Sequence, residues 1–134
     1  MKIYFDENFS PRLVEGLSAF QKGVPNEGVE VHSIAETFGK GTADEDWIPK
    51  VAQQHAVVVT QDSCIRRRQH QWELCQHYKI AIVFVQPPKK GWSYWTTIQL
   101  IVKLWKEITE KTFHAKRPYA AEIKATTGRL KPLS

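Results

Sequence analysis

The chain has 134 residues, 42% hydrophobic and 25% charged, a composition that excludes a disordered polar chain and suits one domain with a buried core. No apolar run approaches the ~20 residues that a bilayer span requires, and two cysteines, Cys64 and Cys75, are too few for a disulfide framework or a zinc ribbon. Lys plus Arg outnumber Asp plus Glu by 19 to 14 and the pI is near 9.3, a balance that favours an anionic partner such as nucleic acid.

The first stretch, "KIYF", is short and apolar and suits a buried strand over residues 2–5. One Lys and then an acidic pair near the start do not resemble a secretion signal, so the cytoplasm is the expected compartment. Ser10 as N-cap and Pro11 at the first helical position start a helix, along which Leu13, Val14, Leu17 and Phe20 recur at helical spacing. "KGVPNEG" is a turn, and "VEVHSI" is a second strand near 29–34. In "ADEDWIPKVAQQ", Pro49 is expected in the first helical turn, which places the start at Glu45 or Asp46.

"AVVVT" (56–60) reads as a third strand covered on both faces, "RRRQHQWELCQHY" as loop turning into helix, and "IAIVFV" (80–85) as a fourth strand. The longest helix is expected from Ser93 to about Lys111, with Tyr94, Trp95, Ile98, Ile101, Val102, Trp105 and Ile108 as one apolar stripe. "YAAEIKAT" is a fifth strand, and 127–134 is expected as a loosely held polar tail. Strands alternating with helices imply a single α/β domain over 1–134, a three-layer sandwich around a mainly parallel sheet of about five strands. Such sheets place their functional crevice beyond the carboxyl ends of the strands, where strand order reverses.

Asp6 follows the first strand and Asp62 the third, and Asp44 begins a helix between them. If the two strands are neighbours, these carboxylates share one crevice. Hard oxygen ligands grouped in this way suit Mg²⁺ or Mn²⁺, and without a cation their mutual repulsion is unfavourable. Each acid also has a structural reading as a cap or as a charge at a helix N-terminus. Three of them at strand ends and a helix start are read here as a joint site.

The stretches "YFDENFSPRLVEGL", "GTADEDWIPKVA" and "VVVTQDSCIRRR" together resemble the PIN-like domain family, particularly its VapC-type toxin branch. The shared pattern is a strand ending in D-E-N before S-P, an Asp near a W-I helix, and T-x-D before I-R-R. The resemblance implies a five-stranded parallel sheet and a Mg²⁺- or Mn²⁺-dependent endoribonuclease, in which Asp6, Asp44 and Asp62 are the catalytic and metal positions. It also implies an RNA substrate and a small antitoxin protein as partner. Many PIN domains carry a further acid two residues after that of T-x-D. Cys64 stands at this position, and Glu7, Glu45 and Asp46 are weaker candidates to replace the missing ligand.

Arg66, Arg67 and Arg68 lie just beyond Asp62 and are the expected RNA contacts, because guanidinium groups fork onto phosphate oxygens. Lys89 and Lys90 are a weaker version of the same pattern. Trp92, Tyr94 and Trp95 suit base stacking, core packing or an interface, with a homodimer among the candidates; Trp47 and Trp105 are assigned to packing. The five histidines lack metal-binding spacing. The expected function is therefore a toxin endoribonuclease. The alternative is a catalytically weakened PIN-like module that binds RNA or a protein without cleavage. A phospho-acceptor receiver domain would need Ser or Thr closing the fourth strand, where "FVQPP" stands instead.

Overall fold

A computed structural model describes residues 1–61, 64–88, 90–91 and 93–133, with Ile65 described by its backbone alone. Asp62, Lys89 and Trp92 thus lie outside the described residues. Among the described residues the strands are β1 (Lys2–Phe5), β2 (Glu30–Ser33), β3 (Val57–Thr60), β4 (Ala81–Gln86), β5 (Tyr119–Lys124) and β6 (Arg129–Leu133). The helices are α1 (Pro11–Gln21), α2 (Ile34–Phe38), α3 (Asp44–Gln53), α4 (Ile65–Tyr78) and α5 (Tyr94–His114).

Local chemistry sets most of the boundaries. Ser10 Oγ accepts from the Arg12 N–H at 3.2 Å, and Ser93 Oγ accepts from the Thr96 N–H at 3.1 Å, so both helices flanking one face of the sheet are capped. α3 starts at Asp44 rather than at Glu45 or Asp46, and Pro49 occupies its sixth position, not its first turn. Three acids in the first turn favour this earlier start, at the cost of the one intrahelical bond that Pro49 cannot donate. α4 is already helical at Arg66, Arg67 and Arg68, where a loop was expected. Cations in a first turn oppose the helix dipole, and ion pairs made by two of them offset that opposition.

The sheet order is β2-β1-β3-β4-β5-β6, parallel from β2 through β5. Strand order reverses between β1 and β3, which lie side by side with Ile3, Tyr4 and Phe5 opposite Val57, Val58 and Val59. Alternation along the strands builds two cores. Ile3, Phe5, Val57, Val59 and Val83 pack with Leu13 and Leu17 of α1 and Ile101 and Ile108 of α5. Tyr4, Val58, Ile82 and Phe84 pack on the other face with Trp47, Ile48 and Val51 of α3 and Cys75 of α4. The result is the expected three-layer α/β sandwich.

Two further expectations are corrected. The described part of the expected loose tail, 127–133, supplies β6 and brings the sheet to six strands. β6 pairs antiparallel with β5 from Lys124↔Arg129 to Ala120↔Leu133, and Leu130 is buried in the core beneath α5. The expected stripe of α5 is also out of phase at its start. Ile101, Leu104, Ile108 and Thr112 turn inward, whereas Tyr94, Trp95 and Val102 are exposed, Trp95 by 68%. Trp105 packs as expected, stacking on Phe5 and donating its indole N–H to Gln21 at 2.9 Å.

If β6 belongs to the fold, Leu130→Ala should lower unfolding stability in urea by about 2 kcal/mol or more. A loose tail would give a change within about 0.5 kcal/mol.

Candidate active site

Asp6 continues the alternation of β1 one residue past its end. Its N–H reaches the Val59 carbonyl at 3.1 Å, so its side chain falls on the same face as Tyr4, toward α3 and α4. It is buried, only 4% exposed. Oδ2 accepts from the Thr60 hydroxyl and from the Gln61 N–H at 3.1 Å, and Oδ1 accepts from the Asn8 N–H at 3.2 Å. Burial pushes the Asp6 carboxyl above the usual carboxylate range, against the opposing pull of these donors and of the Arg67 charge.

Asp44 is the first residue of α3 and is also buried. Its Oδ1 accepts from the Trp47 indole N–H at 3.1 Å, so Trp47 positions this carboxylate in addition to packing. Arg67 forks onto it, with Nε to Oδ2 at 3.3 Å and Nη2 to Oδ1 at 3.2 Å. The same guanidinium acts on Asp6 through its charge. Arg67 therefore links the two acids, one from the strand end and one from the helix start. Among the described residues, Oδ1 of Asp6 and Oδ2 of Asp44 each accept a single hydrogen bond, which leaves hard oxygen lone pairs on both.

The remaining candidates are dispersed. Glu7 is exposed and accepts from the Gly41 N–H at 3.2 Å; Glu45 pairs with His70, and Asp46 is exposed. Among the described residues no group of three or more His, Cys, Asp or Glu is placed to hold a metal ion. Asp62, the third expected acid, lies outside those residues. Arg66 is exposed in the first turn of α4. Arg68 is committed elsewhere, bonded to Glu122 at 2.9 Å with its guanidinium 4.6 Å from the Phe84 ring centroid. Cys64 is the N-cap of α4, and burial pushes the Cys75 thiol well up, which makes Cys75 an inert core residue. Sequence reasoning missed Thr60 as a partner of Asp6. Its signal was a hydroxyl closing an otherwise apolar strand, "VVVT".

A family model described as PIN-like domain matches residues 1–87, well over half of the chain. The chain belongs to the PIN-like domain family. No curated protein and no solved structure matches it. PIN-like domains are typically nucleases and generally use divalent metal ions. The matched segment contains Asp6, Asp44, Thr60 and Arg67, so the corner described above lies wholly within the PIN-like part. Two buried carboxylates with spare hard oxygen lone pairs fit Mg²⁺ or Mn²⁺, which take one or two carboxylates and complete their shells with water and phosphate oxygens. Among the described residues no helix is long and apolar enough to cross a membrane.

Folding raises the pKa of Asp6, so between its unfolded and folded values the native chain binds more protons than the unfolded one. Stability then falls as pH rises through that window. In a chelator, the urea stability of Asp6→Asn should gain on wild type as pH rises from about 4. A difference that does not change with pH would show the Asp6 charge to be fully compensated in the fold.

Proposed function

We propose that this PIN-like domain is a Mg²⁺- or Mn²⁺-dependent endoribonuclease of the VapC-type branch, a toxin restrained by a small antitoxin protein. The observation that carries the reading is the buried Asp6 carboxylate at the reversal of strand order, held by donors from three residues and tied through Arg67 to Asp44. Asp6 and Asp44, with Asp62 as the third position, would hold the ion. Bound there, a divalent ion lowers the pKa of a water and stabilises charge on an RNA phosphodiester. Thr60 and the Gln61 N–H fix the orientation of Asp6, and Trp47 and Arg67 fix that of Asp44. Exposed Arg66 is free to meet a backbone phosphate at the rim. Exposed Tyr94 and Trp95 offer an aromatic anchor for the antitoxin or a second copy.

A second reading, a module that binds RNA or a protein without cutting, is favoured by one pairing. Arg67 already neutralises Asp44, while Cys64 stands where many PIN domains have a further acid.

A mixed RNA panel incubated with Mn²⁺ should be cleaved by the wild type. Asp6→Asn and Asp44→Asn should each lose more than about a hundredfold in rate, because outer partners of metal ligands alone are worth about 10–100-fold. Equal cleavage by all three proteins would mean a contaminating nuclease and would remove the site. No calorimetric binding of Mn²⁺ at millimolar concentration would favour the second reading. Thr60→Val should lose about 10–100-fold with Thr60→Ser restoring most of it; failure of the Ser variant to rescue would assign Thr60 a purely packing role.

A further inference from the structure

The basic surplus is unevenly distributed. Residues 1–87, the family-matched part, carry nine Lys and Arg against eleven Asp and Glu, a net of −2. Residues 88–134 carry ten against three, a net of +7. Part of that surplus is gathered on the β5–β6 hairpin. Ala121 and Ile123 of β5 face the core beneath α5, so alternation turns Glu122 and Lys124 to the α4 side. The register sets Arg129 opposite Lys124 and Lys131 opposite Glu122 on that same face. These four residues line a cleft of about 330 Å³ together with Thr127 and Leu130. Arg68 reaches Glu122 from the first turn of α4, so four cations surround one carboxylate, which Arg68 and Lys124 share at 2.9 and 3.7 Å.

Like charges directly opposite on antiparallel strands are destabilising, and Lys124 faces Arg129 in that way. Protection of an exposed sheet edge accounts for Lys131 and Pro132 on β6. It does not account for Lys124, because β5 is paired on both sides.

We propose that this cleft is a docking subsite for backbone phosphates of single-stranded RNA, built outside the family-matched segment. It rests on the nuclease reading only for the identity of the strand. The cleft opens on the same sheet face and toward the same carboxyl edge as Asp6, three to four strand spacings away, or roughly 14–19 Å. The first turn of α4 lies between them, with Arg67 on Asp44, Arg68 on Glu122 and Arg66 exposed. An RNA strand crossing this edge meets exposed Arg66 on the way to the cleft, where its phosphates relieve the repulsion between Lys124 and Arg129.

The test is fluorescence anisotropy of a labelled single-stranded RNA in EDTA across a salt series. The proteins are wild type, the Lys124→Gln/Arg129→Gln double variant and Arg129→Lys. The double variant should lower the log–log salt slope by about 1.4, two phosphates at ~0.7 each, and weaken low-salt binding roughly tenfold. Its melting temperature should equal or exceed that of wild type, and Arg129→Lys should retain most of the binding. Wild-type slope and affinity in the double variant would overturn the proposal. So would an unchanged RNA affinity accompanied by lost binding of polyglutamate, which would make the cleft an acidic-protein site. Cleft-dependent binding without any cleavage by the wild type removes the nuclease reading alone. Cleavage with cleft-independent binding removes this inference alone.

Discussion

Asp6 is a carboxylate taken almost wholly out of water, and a group in that position must be met by donors, by a cation, or by a proton. All the nearby architecture answers that requirement. Parallel pairing of β1 with β3 brings Thr60 and Gln61 to one oxygen, and the turn after β1 brings the Asn8 N–H to the other. These donors favour the charged form, yet burial outweighs them. Burial thus leaves this carboxylate short of positive charge, which in the nuclease reading proposed above a divalent ion would supply.

Arg67 supplies positive charge from within the chain. It forks onto Asp44 and also pulls on Asp6, so it occupies the electrostatic centre of the acidic corner. A buried or half-buried ion pair of this kind adds little net stability, because desolvation offsets much of the attraction. Its larger effect is positional. It fixes the first turn of α4 against the first turn of α3, and the neighbouring Arg68 fixes the same turn against β5. One helical turn thereby joins the acidic corner to the basic edge.

Much of this was legible in the chain. "KIYF", "AVVVT" and "IAIVFV" are buried strands because only apolar runs survive cover on both faces, and the Ser10–Pro11 pair carries its helix start openly. Asp6 and Asp44 were legible as acids at a strand end and a helix start. β6 was not, because an edge strand with one buried side chain, Leu130, has the pattern of a polar tail. The early start of α4 was hidden for a related reason. Its first turn is held by Asp44 and Glu122 rather than by apolar periodicity. The roles of Thr60 and Arg67 depend on which strand lies beside which, a fact that no local pattern encodes.

The hydrogen bond from Thr60 to Asp6 spans 54 residues, and the bond from Arg68 to Glu122 spans another 54. Closure of such long loops comes late and slowly relative to local helix formation. On a growing chain, Asp6 has no Thr60 until β3 has emerged, and α4 has no anchor on its far side until β5 follows. The partners that orient Asp6 and Asp44 are all present once Arg67 has emerged, whereas the turn that carries Arg67 gains its second anchor only when Glu122 follows, so the acidic corner assembles before the edge that braces it.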